Sequence, residues 1–316
     1  MGDFGEQFLV FVKPSEDPWD SHQNPTDWKD STIQMLKKIA AARSGMALLK
    51  AIQNGGKRIV IEPLNWQECN AHGGPAAMVL NGKFFDGIVK FEPAVFMKPN
   101  ACFTSKHLDN PDHNRGALPD EVLFRELIHA HRHAIGAANG SSLGGGLYRY
   151  QNDEEFLAVV MTNIYISDET NPHHSGLRRD HTGHDSLETN LSSSLAFYKS
   201  SPQVLPLIRK FADDAKEKFL FRELAKVNSK FNPFAALVEC ERAVKAQSTS
   251  SFAMQRETVG YVAEFAGEAN SFARGVLAAT GIRNLVSPKP LAPDFAAVAR
   301  ETLAPLALEA LRVLRR

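Results

Sequence analysis

The alternation of apolar and polar positions divides the chain into a strand-rich first third and a largely helical remainder. Phe8, Leu9, Val10, Phe11 and Val12 form a short apolar run followed by Pro14 and Pro18, which predicts an extended arm or a single strand. A helix is predicted after Pro25. Thr32–Gln53 carries Ile33, Leu36, Ile39, Ala40, Met46, Leu49 and Ile52 at near-helical spacing, with a weak point at Ser44-Gly45 and a stop at Asn54-Gly55-Gly56. Arg58–Glu62 is a β-branched run closed by Pro63 and predicts a strand. Met78–Leu80, Lys83–Phe85 and Ile88–Phe91 read as short strands separated by turn dipeptides such as Asn81-Gly82, the kind that close hairpins.

The most regular helical pattern runs from Pro119 to Ile135, with Asp120 and Glu121 placed to favour its positive N-terminus. Glycine-rich text (Gly136, Gly140, Gly144, Gly145, Gly146) leads to a second helix capped near Asn152-Asp153. Glu154–Tyr165 is apolar around much of its circumference, so this second helix is expected to be buried. Aperiodic polar stretches at Asn100–Leu118 and Ser167–Gly183 read as loops. From Ser193 onward the pattern is helical. Val204, Ile208, Phe211 and Ala215 share one face, a break falls at Asn232-Pro233, and a new segment centres on Leu237. A polar seam over Ala246–Ser251 precedes an Ala- and Leu-rich helix at Pro293–Arg316. The expected fold class is therefore α+β, with a main domain over 1–245 and a helical extension over 246–316.

Charge changes the picture by exclusion. With 36 Lys+Arg against 36 Asp+Glu, the chain lacks the basic excess that neutralising nucleic-acid phosphates requires, so nucleic acid is not an expected partner. Cys69, Cys102 and Cys240 are too few and too scattered for a disulfide framework or a thiolate zinc site. No apolar run approaches the roughly 20 residues that span a bilayer, and Met1–Glu6 has no basic-then-apolar leader pattern. No membrane association is expected. The expected location is the cytoplasm, or a host cell reached by a route other than general secretion.

Histidine is unevenly placed: eight of eleven (His113, His129, His131, His133, His173, His174, His181, His184) fall between positions 113 and 184. Within that stretch Arg125-Glu126-Leu127-Ile128-His129 matches the His-Glu-x-x-His pattern of zinc hydrolases except at its first position. In that pattern two histidines one helical turn apart bind zinc, and the glutamate acts as general base for the bound water. A third ligand, a glutamate, comes in gluzincins from a downstream helix. Asn152-Asp153-Glu154-Glu155-Phe156-Leu157-Ala158 offers Glu155 for that place.

On these two helices the tract from Leu118 to about His181 resembles the NleD-like type III effector metallopeptidases. Arg58–Glu62, the hairpin region after it and Phe231-Asn232-Pro233 resemble the same family less specifically. The resemblance implies a small gluzincin-like fold, in which a short antiparallel-type sheet accompanies an active-site helix and a glutamate helix. It implies one zinc ion, Glu126 as general base, His129 and Glu155 as ligands, and hydrolysis of a host or partner protein by a bacterial effector. The glutamate helix is also similar to that of the anthrax lethal factor type of zinc peptidase, which has a tyrosine a few residues earlier. By that likeness Tyr148 or Tyr150 would donate to the oxyanion of a tetrahedral intermediate.

Arg125 departs from the pattern. A guanidinium stays charged and has no lone pair for a metal. Three readings stay open. Arg125 takes the cation's place and pairs with Glu155 or Glu126, which leaves a non-catalytic peptide-binding pseudoenzyme. Alternatively the metal site shifts to His129 and His133, one turn apart, with Glu155 or a loop histidine, and the general base comes from Glu126 or Glu154. In the third reading Arg125 swings outward and His181 or His184 completes the shell. Glu126, His129 and His133 share one side of the helix, whereas His131 points away. In the loop, Asp180 is a candidate to orient a catalytic His181, and Arg178 and Arg179 are candidates to bind an acidic peptide.

Overall fold

The computed structural model describes residues 3–14, 24–64, 76–79, 84–93, 115–143, 145–171, 175–181, 186–187 and 193–243. The expectations for His113, His173, His174 and His184, most of the loop at Asn100–Leu118, the seam at Ala246–Ser251, the helix at Pro293–Arg316 and the domain boundary at 245 lie outside the described residues. By contact density the chain forms two units, Met1–Thr189 with Leu207–Asn232, and Asn190–Pro206 with Pro233–Arg316.

The first unit is mixed α and β. Strand β1 (Val10–Val12) is followed by helices α1 (Pro25–Ala41) and α2 (Arg43–Gly55) and then by β2 (Ile59–Pro63). β3 (Ala76–Val79) and β4 (Gly87–Phe91) complete a four-stranded sheet of order β1-β2-β4-β3. β1, β2 and β4 are mutually parallel, and only β3 runs antiparallel, pairing Ala76 with Lys90 and Val79 with Gly87. The antiparallel-type sheet expected from the sequence is thus confined to the β3–β4 pair. The helical crossover through α1 and α2 accounts for the parallel β1–β2 pair, because it returns the chain to the sheet in the direction of β1. Ile59, Val60 and Ile61 are all fully buried, as in a parallel strand covered on both faces.

Asn24 caps α1 by accepting from the Asp27 amide at 2.9 Å, with Pro25 in the first turn. Trp28, Thr32, Leu36 and Ile39 form its buried stripe, and the Trp28 indole donates to the Phe91 carbonyl at 3.0 Å. The weak point read at Ser44-Gly45 is a true break. Ala42 is extended, and a Cβ on Gly45 would stand 1.9 Å from the Ile39 carbonyl oxygen. Ser44 starts α2 by donating its amide and hydroxyl to Asp168, at 2.8 and 2.6 Å.

The two central helices are α3 (Pro119–Ala134) and α4 (Asp153–Ile166). They pack on each other, and α3 also packs on β3, β4 and α1. Leu123, Leu127 and Ala130 are fully buried on α3, and α4 is buried along nearly its whole length, as its apolar circumference implies. Phe124 stacks on Tyr165 with ring centroids 4.5 Å apart. The Tyr165 hydroxyl donates to Asp120 at 2.8 Å, and Lys38 from α1 meets the same carboxylate at 2.5 Å. This polar tie fixes α1, α3 and α4 at one end of the pair.

After α5 (Ser194–Ser200) come α6 (Val204–Asp213) and α7 (Lys218–Ala225). Val204, Ile208 and Phe211 are buried, but α6 ends at Asp213, so Ala215 lies beyond it and is exposed. In the second unit Ser193 caps α5, and the Tyr198 hydroxyl donates to the Pro233 carbonyl at 2.8 Å, at the start of a helical run over 233–243. Among the described residues no helix is long and apolar enough to cross a membrane. Substituting Gly45→Ala will drive the new methyl group into the Ile39 carbonyl. We expect a loss of about 1–3 kcal/mol in unfolding free energy, read as a lowered urea midpoint.

Candidate functional site

The side chains at 125, 126, 129 and 132 share one side of α3, because three- and four-residue steps bring them into register. Opposite them stands the first turn of α4. Asn152 caps that turn by accepting from the Glu155 amide at 2.8 Å, while Asn139 and Ser141 of the glycine-rich crossing accept from the amides of Glu154 and Asp153. The crossing therefore delivers two adjacent glutamates to the face of α3.

The result is a chain of alternating charge. Arg132 joins Glu217 at the start of α7 to Glu154, with Arg132 Nε 2.8 Å from Glu154 Oε2. His129 Nδ1 lies 3.0 Å from Glu154 Oε1, and His129 Nε2 lies 3.4 Å from Glu155 Oε2. Arg125 Nη2 donates to that same Glu155 oxygen at 2.5 Å, and Arg125 Nη1 donates to Glu126 Oε1 at 3.1 Å. His181 approaches from the loop, its Nε2 3.5 Å from Glu155 Oε2. Glu155 Oε2 is thus the meeting point of one guanidinium and two imidazoles.

Burial sets the electrostatics. His129, Glu126, Glu154 and Arg132 are 6, 3, 6 and 2 % exposed, so each depends on its neighbours to remain charged. Burial opposes ionisation of Glu155, but the neighbouring His129, Arg125 and His181 hold its carboxyl well below the usual range. Burial also disfavours the His129 imidazolium. The Glu154 hydrogen bond and the nearby Glu155 carboxylate outweigh that and raise it to about 9. Glu126 is pushed up, because desolvation exceeds the help from Arg125 and His129. His181 is pushed down to about 4 by burial and by Arg125.

The structure brings together Glu126, His129, Glu155 and His181 and leaves other expected residues apart. His133 is half-buried and makes no hydrogen bond to this group among the described residues. Tyr150 is buried, with its ring edge-on to Phe156 and its hydroxyl donating to the Arg179 carbonyl at 2.6 Å. Its donor is therefore already committed. The side chain of Tyr148 lies outside the described residues, within a 3-10 turn at Gly145–Tyr150. His131 does point away, into packing beside Gly55. Burial, then Arg132, takes it down to about 4. Arg178 is not a free cation for an acidic peptide, because it is 2 % exposed and its Nε is bonded to the Asp180 carbonyl.

Sequence reasoning gave no role to Arg132, Glu217 or Asn163, and considered Glu154 only as a substitute base. A signal existed for Arg132, which repeats the face of Arg125 and His129. Glu217 is 85 residues away from Arg132 in the chain, and no local pattern announces such a pair.

The donor set can be tested against zinc on this geometry. The carboxylate oxygen that would face a metal already holds the Arg125 guanidinium, and among the described residues no three His, Cys, Asp or Glu side chains form a metal-holding group. In this arrangement the residues do not fit the ion. Comparisons with protein-family models, with curated proteins and with solved structures found no match.

A histidine raised from 6.5 to about 9 on folding contributes stability that is complete below about pH 6.5 and is lost as pH rises through 9. We predict that, between pH 6.5 and 9.5, the wild-type protein loses up to about 3 kcal/mol more unfolding free energy than His129→Gln does. Urea titrations of both proteins across that range check this; parallel pH curves would contradict it.

Proposed function

We propose that the chain is a metal-free, non-hydrolytic peptide-binding protein, related in design to the NleD-like metallopeptidases that its helix pair resembles. The observation that carries this reading is the 2.5 Å contact between Arg125 Nη2 and Glu155 Oε2, a fixed positive charge at the place where the pattern expects a zinc ion. A guanidinium neutralises the carboxylates as a cation would, but it has no open coordination position and generates no nucleophile from water. The gluzincin-like fold belongs to the same proposal. In this reading the peptide would lie along the sheet edge next to α3. β3 packs on α3 and, among the described residues, pairs only with β4. In this reading its other edge would offer main-chain groups to an extended peptide, in the general manner of strand addition.

A second reading, an active zinc peptidase acting on a host or partner protein, is favoured by one feature of the same group. His129 Nε2 and His181 Nε2 lie 3.4 and 3.5 Å from one Glu155 oxygen, so withdrawal of Arg125 would leave two imidazoles and a carboxylate facing one another. In that reading Glu126 is the general base and Tyr148 the remaining candidate oxyanion donor.

Metal analysis separates the two. Purified wild-type protein is expected to carry no stoichiometric zinc. Arg125→His is expected to take up about one zinc per chain and to gain thermal stability on loading. About one zinc in the wild-type protein, lost in His129→Ala, would overturn the metal-free reading.

A further inference from the structure

The segment over 175–181 reaches the charged group by side-chain anchorage along its length. At its start the Ser175 amide and hydroxyl donate to Glu121 on α3 at 2.8 and 2.6 Å, and the Gly116 amide donates to the Ser175 hydroxyl at 2.7 Å. Midway, Asn163 on α4 clamps the backbone of Arg178 from both sides. Its Oδ1 accepts the Arg178 amide at 2.8 Å, and its Nδ2 donates to the Arg178 carbonyl at 2.7 Å. Near the end the Tyr150 hydroxyl donates to the Arg179 carbonyl.

The Arg178 side chain then turns back along its own segment. Nε donates to the Asp180 carbonyl at 2.6 Å, and Nη2 donates to the carbonyl of His181. One planar fork therefore holds two carbonyls, a geometry that the single ammonium of lysine does not reproduce. The charge is buried near Arg125, which makes its retention costly, and the hydrogen bonds it makes go to the backbone that carries His181.

We infer that Arg178, clamped by Asn163, is a positioning residue that holds the His181 imidazole against Glu155. This deepens the proposed reading by treating Arg125, Glu155 and His181 as one preorganised group. It replaces the role of acidic-peptide cation with that of an internal strut, and it makes residues 178–181 part of the site's rigid frame.

The test compares the full-length wild-type protein with Arg178→Lys, which keeps the charge and removes the fork. Histidine ring ¹⁵N signals and amide hydrogen exchange are recorded for both. In the variant the His181 ring signals are expected to move, and the Arg178 amide to exchange at least about tenfold faster, while the His131 ring signals stay in place. In the wild-type protein the Arg178 amide is expected to be protected like the amides of α4. Unchanged His181 signals in the variant would overturn the inference. If the variant loses its fold, seen as collapse of the His131 signals, the wild-type exchange rate decides alone: an Arg178 amide exchanging like an open loop overturns the strut. Stoichiometric zinc in wild-type protein, with His181 still released by Arg178→Lys, would sink the metal-free reading and leave the strut standing.

Discussion

A carboxylate largely taken out of water needs a positive partner, and Glu155 is the carboxylate on which this structure turns. Its Oε2 gathers Arg125, His129 and His181, and the first two are each fixed by a second contact elsewhere. Arg125 also holds Glu126, and His129 also holds Glu154, which holds Arg132 and through it Glu217. Removing any interior member would leave a buried charge without its counterpart, a change that ordinarily costs about 3–5 kcal/mol. The chain of charge is therefore as much a structural fastening between α3, α4 and α7 as a candidate site.

The rest of the fold serves to bring the first turn of α4 opposite the middle of α3. The tie among Lys38, Asp120 and Tyr165 pins the far end of the helix pair, and Asp168 pins α4's exit to the start of α2. The sheet lies under α3, with β3 and β4 against it. Between these fixed points the helices have little freedom to separate.

Much of this was legible in the sequence where the signal is local. The helix over Pro119–Ala134, the Asn152 cap, the break beside Gly45 and the buried circumference of α4 all follow from spacing and capping chemistry within a few residues. The parallel arrangement of β1, β2 and β4 was not legible, because nothing local reports which strand lies beside β2, and Phe84 and Phe85, read as part of a strand at Lys83–Phe85, are irregular. The same limit applies to the site. Glu126 and His129 declare themselves through a three-residue step on one helix. The role of Glu217 depends on a tertiary contact, and that of Arg178 on a side chain folding back on its own loop, where residue type alone suggested a surface cation. The committed hydroxyl of Tyr150 is a further case, since a tyrosine near a motif does not reveal where its donor points.

The central claim is that a guanidinium stands where the motif would place a metal. It is tested most directly by a crystal structure grown in excess zinc, with anomalous data collected on both sides of the zinc absorption edge. The account predicts continuous density from Arg125 to Glu155 and no anomalous peak near His129. A peak bound by His129 and Glu155, with Arg125 turned away, would contradict it.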